Sequence, residues 1–213
     1  MAKQKHAYIF ELAASKNDHS HYKYIMKNFS DYLLTSTVTV GQLKQWMQDK
    51  DDIAKKEIIK LIGHRFENRY LKHIKDIKSG FFKMSISCFI IETLQSFKEG
   101  EPDTSGIGKK MFVNFFKNEI KLFPGFDDKI SKDFYSNIRC GILHQSETKN
   151  AWRILLKGDL LDLTNKAINA DLFVQALDKS LKGYLADLKK QDFNSVLWTN
   201  AFLKLDDICE NCK

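Results

Sequence analysis

Proline is almost absent from this chain. Of 213 residues only Pro102 and Pro124 are proline, and both lie in glycine-containing stretches, EGEPDTSGIG and FPGF, that read as loops. Proline interrupts helices and central strands because it lacks an amide hydrogen and fixes φ. The rest of the chain is therefore free to run in long unbroken segments, and those segments carry helical periodicity. The class they define is mainly α.

Residues 21–34 (HYKYIMKNFSDYLL) predict a first helix, and a short second one runs from Val40 to Gln48 with Thr39 as its cap. The strongest signal follows over 52–77, where Ile58, Ile62, Phe66, Tyr70 and Ile74 recur every four residues and Asp51 and Asp52 sit at the positive end of the helix dipole. That stripe is expected to face the core. Residues 81–98 (FFKMSISCFIIETLQSFK) are apolar on nearly every face, which suits a helix surrounded by others. Its one acid, Glu92, lies either on a narrow exposed strip or inside against a cationic partner. Further helices are expected over 109–122 and 128–144, the latter with Ile130, Phe134, Ile138 and Ile142 at four-residue steps. WRILL (152–156) and LLDL (160–163) flank a Lys-Gly-Asp connection and predict one short β-hairpin. Asn169 then caps a helix over 170–190 with Phe173, Leu177, Leu181 and Leu185 on one face, and a last helix starts near Ser195.

With 43% apolar and 12% aromatic residues the chain can bury a full core without metals or disulfides. The expected organisation is one compact unit, a helical extension over 1–50 packed on a bundle over 51–213. The net charge of +7 is spread over scattered lysines with only four arginines, a pattern compatible with a polyanionic partner and equally with a solvated surface. Four cysteines, an N-terminus without an apolar leader core and no apolar run of membrane-spanning length predict a cytoplasmic protein in a reducing compartment with no membrane association. Cys209 and Cys212 have C-x-x-C spacing, but no second pair completes a zinc site in sequence, so a frayed helix end is the better reading, with His19 and His21 as remote candidates. No cofactor or metal is expected. Walker, HExxH and GxSxG motifs are missing, and the glycines of SGIG at 105–108 do not follow a strand.

The stretch FYSNIRCGILHQ (134–145) carries the chemistry. Arg139 and His144 stand on one predicted helix with four residues between them. Arginine presents a planar fork of donors to phosphate oxygens, and a histidine titrating near neutrality serves as base or acid. The structural alternative is an arginine near a helix C-terminus, where the dipole favours cations, and a histidine capping the last carbonyls.

Arg139-Cys-Gly-Ile-Leu-His144, at the end of a long amphipathic helix preceded by several apolar helices, resembles the HEPN family, the higher-eukaryote and prokaryote nucleotide-binding domains. Together with RYLKHI and FFKMSISCFIIETLQSF, the resemblance covers roughly residues 52–190 and extends to uncharacterised bacterial proteins of this helical arrangement. It implies an HEPN-like helical bundle, with the hairpin following the Arg-x4-His helix. It also implies a metal-independent RNA endonuclease that cleaves by 2′-hydroxyl attack, possible roles being a toxin or antiviral effector with an antitoxin partner. Arg139 and His144 are then the catalytic residues. Residues five apart on an ideal helix point about 140° from one another, so the resemblance also implies a homodimer through helix 128–144 that brings two Arg139 and two His144 into one cleft. The residue after the arginine is usually polar in active members, and here it is Cys140. Asn137 and Gln145 offer polar contacts in its place; apart from the resemblance, the isolation of Glu92 in an apolar helix makes it, if buried, a candidate to orient Arg139 across the helix pair. The rival readings are a non-catalytic HEPN module binding nucleotide, RNA or a protein, and a helical interaction domain whose dimer interface is its purpose.

Overall fold

The computed structural model describes residues 29–212, and within them the protein is mainly helical with one small three-stranded sheet. The helices in chain order are α1 (Val40–Asp49), α2 (Asp52–Phe66), α3 (Lys72–Ile74), α4 (Gly80–Glu99), α5 (Gly108–Asn118), α6 (Asp128–Phe134), α7 (Cys140–Gln145), α8 (Ala170–Lys190) and α9 (Val196–Glu210). Most begin at a side chain that accepts from a free amide. Thr39 and Gln42 form a reciprocal capping box, and Asp51, Ser79, Asp127, Asn169 and Ser195 cap α2, α4, α6, α8 and α9.

Helix α4 is the central rod. It packs on α5, α8 and α9, and Met84, Ile91, Leu94 and Phe97 are fully buried, as its apolar circumference requires. Beside it lies a block of phenylalanines. Phe116 stacks on Phe126 at 4.2 Å and meets Phe115, Phe123, Phe134 and Phe173 edge-on, while Phe134 and Phe173 lie parallel at 5.5 Å. Each buried ring contributes about 1.5–3 kcal/mol from removal of apolar surface, so this block fixes α5, α6 and α8 relative to one another.

The sequence reading needs four corrections. Residues 29–34 are not α-helical: Phe29–Asp31 form a short 3-10 helix and Leu33 bridges to Thr39; the remainder of the expected helix over 21–34, and both His19 and His21, lie outside the described residues. Helix 109–122 stops at Asn118, and turns through Pro124 and Gly125 bring Phe123 and Phe126 into the core. The expected helix over 52–77 contains a wide π-helical turn at Glu67–Leu71. One extra residue in that turn carries Leu71 into the core in place of Tyr70, which is 37% exposed, and returns Ile74 to the buried side.

The hairpin is also corrected. Strand β1 (Arg153–Leu155) and strand β2 (Leu161–Asp162) do not pair with each other; both pair with β3 (Ala167–Asn169), β1 in parallel and β2 antiparallel. β3 is buried at all three positions, and two partners satisfy both of its hydrogen-bonding edges. Asn169 then serves twice, its side-chain amide donating to Gly158 O and its oxygen capping α8. Among the described residues no helix is long and apolar enough to cross a membrane.

Candidate functional site

The helix expected over 128–144 is α6, a second π-helical turn at Tyr135–Arg139, and α7. Arg139 therefore ends a wide turn, a feature that widens the helix locally and recurs at functional sites. Polar side chains brace this turn from behind. Asn137 is 4% exposed, its amide donating to Asp133 Oδ1 at 2.6 Å and its oxygen accepting from Asn150 at 2.8 Å. The Trp152 indole donates to Asp133 Oδ2 at 2.7 Å, and the Lys149 amide donates to Asn137 O at 2.9 Å. Asn137 thus locks the helix to the segment that follows it and does not join Arg139.

Arg139 reaches across to α4. Its Nη2 donates to Glu92 Oε2 at 3.1 Å, and its guanidinium lies 5.3 Å from the centre of the Tyr135 ring. Glu92 holds its other oxygen toward Thr104, whose hydroxyl donates at 2.8 Å. Of the two places open to Glu92 in sequence, it occupies the one beside a cation. Burial opposes the charge on Arg139, but Glu92 and Tyr135 more than offset it and hold its pKa above the usual arginine value. Burial likewise pushes the Tyr135 phenol up. The Cys140 thiol lies close to that phenol.

Arg139 opens onto a cleft of about 240 Å³ lined by Phe89, Glu92, Thr93, Ser96, Thr104 and Lys204. Thr104 brings the loop over 100–107 to its edge. That loop is tied down: Ser96 receives the Glu101 amide and donates to the Glu101 carbonyl, and Lys204 donates to Pro102 O. Only one hydrogen bond, to Glu92, is made by the guanidinium, which leaves donors for a ligand in the cleft it lines.

His144 stands elsewhere. It is exposed on α7, does not line the cleft, and among the described residues makes no hydrogen bond or ion pair. It does not cap the helix either, since Ser146, at φ 54°, closes α7 through its amide to Ile142 O. Gln145 is exposed beside it. Arg139 pairs with Glu92 and the next residue, Cys140, lies near Cys88 one turn earlier in α4, so α7 runs toward the N-terminal end of α4. Phe81 and Phe82 in the first turn of α4 are exposed, as is Leu143 on α7.

Sequence reasoning missed a second cleft, of about 170 Å³, lined by Arg65, Phe66, Arg69, Tyr70, Phe89, Ile90 and Thr93. It shares Phe89 and Thr93 with the first. Burial, and then the charge of Arg69, bring the Arg65 pKa down to about 10. Three of the chain's four arginines thereby gather along one face of α4, a grouping that positions 65, 69 and 139 do not announce. Cys209 and Cys212 end α9 as free thiols, and among the described residues no group of three or more acids, histidines and cysteines is placed to hold a metal.

Comparison with protein-family models, curated proteins and solved structures gives no match to this chain.

Proposed function

We propose that this protein is an HEPN-type, metal-independent RNA endonuclease that works as a homodimer, with Arg139 and His144 as its catalytic residues. The observation that carries the reading is the posture of Arg139: fixed by Glu92 and Tyr135 at a wide helical turn, still fully charged, with free donors over an open cleft. A phosphodiester in that cleft would meet a donor fork that needs no rearrangement to bind it.

The dimer supplies what one chain lacks. Leu143, 51% exposed on α7, and Phe82, 47% exposed near the start of α4, offer apolar surface for a second copy around helix 128–144. In such a pair one His144 takes the proton of the 2′-hydroxyl as its oxygen attacks phosphorus. Arg139 neutralises the phosphorane oxygens, and the partner subunit's His144 protonates the departing 5′-oxygen. The products are a 2′,3′-cyclic phosphate and a 5′-hydroxyl. Action as a toxin or antiviral effector in the cytoplasm, restrained by an antitoxin, is the biological setting this chemistry fits.

The test is cleavage of RNA in the presence of a chelator. The parent is expected to leave 2′,3′-cyclic ends, and His144→Ala to lose about 10²–10⁴-fold in rate with an unchanged circular-dichroism spectrum. Equal rates in the two proteins defeat the assignment. A second reading, a non-catalytic HEPN module binding RNA, nucleotide or a protein through the same cleft, draws on the nearness of Cys140 to Tyr135 and the absence of Cys140 and His144 from the cleft lining; RNA binding without cleavage in the parent favours it.

A further inference from the structure

Arg65 is the least explained cation of the described structure. It is half-buried in the wall of the second cleft, yet among the described residues it makes no hydrogen bond and no ion pair. Its neighbour one turn on, Arg69, adds a like charge, an arrangement that destabilises a helix unless an anion offsets it. Arg69 spends one donor on Leu34 O at 2.7 Å and among the described residues meets no carboxylate. The acids nearby in sequence and space are already engaged: Glu67 pairs with Lys75, and Glu92 with Arg139 and Thr104. Two guanidinium groups thus face one concavity with their counter-charge missing among the described residues.

The floor between the two clefts is aromatic. Phe89 is 51% exposed and lines both, and Tyr70 borders the second. The exposure of Tyr70 follows from the π-helical turn, which takes this ring out of the core and leaves it beside the arginines. A charged fork for a phosphate next to an open ring face for a base is the pairing that single-stranded nucleic acid requires.

We propose that Arg65 and Arg69 form a second phosphate subsite, with Phe89 as the stacking surface for the adjoining base, so that a single RNA strand runs along α4 from the Arg139 cleft to the Arg65 cleft. Phosphate beside base is also the chemistry of a free mononucleotide. The strand is favoured because the two clefts adjoin across Phe89 and Thr93, so that one chain of phosphates can reach both. The proposal deepens the nuclease reading by giving its substrate a path, but the subsite binds whether or not the bond is cut.

The experiment is fluorescence anisotropy with a labelled, single-stranded 2′-O-methyl oligoribonucleotide of about twelve residues, which lacks the attacking hydroxyl and so reports binding alone. Arg65→Gln is expected to weaken binding about tenfold and to lower the salt slope by about 0.7. Phe89→Ala is expected to weaken it by a similar factor while leaving the slope unchanged. Arg65→Lys should recover part of the slope. Since Arg65 bonds nothing in the described fold and repels Arg69, Arg65→Gln should melt no lower than the parent, which separates binding loss from unfolding. Displacement of the oligomer by AMP from the parent but not from Arg65→Gln would assign the subsite to free mononucleotide as well, and supports the shared chemistry. Parent-like affinity and slope in Arg65→Gln, or no binding by the parent, overturns the proposal. Arg65-dependent binding without cleavage of ordinary RNA would sink the nuclease and leave this subsite standing, while cleavage with Arg65-independent binding would do the reverse.

Discussion

Gly141 and Gly183 are both helical glycines, and their surroundings predict opposite results for the same substitution. A Cβ on Gly141 would sit 2.5 Å from the Glu147 carbonyl oxygen, 3.2 Å from Thr148 Cα and 3.3 Å from the Lys149 nitrogen. These are backbone atoms of the turn that Lys149 ties to Asn137, so no side-chain rotation relieves the contact. Overpacking costs about 1–3 kcal/mol, and an immobile backbone places Gly141→Ala in the upper part of that range. Alanine recovers about 1 kcal/mol of helix propensity, leaving a net loss of roughly 1–2 kcal/mol. Gly183, exposed in the middle of α8, has nothing within 4 Å of the added carbon. There only the propensity term acts, and Gly183→Ala should gain about 1 kcal/mol. The two variants should therefore separate by roughly 2–3 kcal/mol in urea denaturation followed by far-ultraviolet circular dichroism, with the parent between them. Equal stability of the two would mean that the turn over 146–149 does not close against α7, and the bracing of Arg139 described above would lose its basis.

Two further outcomes follow from the site and its surroundings. In a double-mutant cycle of Glu92→Gln and Arg139→Gln, side chains only 17% and 21% exposed should show a coupling of about 1 kcal/mol; additive losses would show that the ion pair does not hold Arg139. Burial pushes the Cys88 thiol up and the Cys209 thiol up to about 11, whereas Cys140 and Cys212 are partly exposed. A thiol reagent at mildly alkaline pH should thus modify two cysteines quickly and the other two only on unfolding, and four fast thiols would contradict the packing around α4 and α9.

The helices were legible where a single period ran without interruption. Phe173, Leu177 and Leu181 sit on the buried face of α8 as their spacing predicts, and Asn169, Thr39 and Asp51 cap the helices they precede. Tyr70 was misread because a four-residue repeat continues smoothly through 67–71 in sequence, while the backbone there takes in one residue more than the repeat allows. The hairpin failed for a different reason: Gly158 marks a turn correctly, but the strand that both flanking segments pair with arrives only at Ala167. At the candidate site, the arginine and histidine could be found from their spacing. The Glu92 contact spans 47 positions and was reachable only from the isolation of one acid in an apolar helix. Arg65 carried no signal at all, because a missing counter-charge is a property of three-dimensional neighbours.

The wide turn at Tyr135–Arg139 divides the motif helix into two rods with separate anchors, α6 against the phenylalanine block and α7 against α4. One residue added or removed inside it would swing everything beyond through about 100°, while the block behind stayed where it is. The aim of the arginine that ends the turn, and of the exposed imidazole beyond it, is accordingly written in backbone length, so evolution can re-point both by a single insertion or deletion without touching the core.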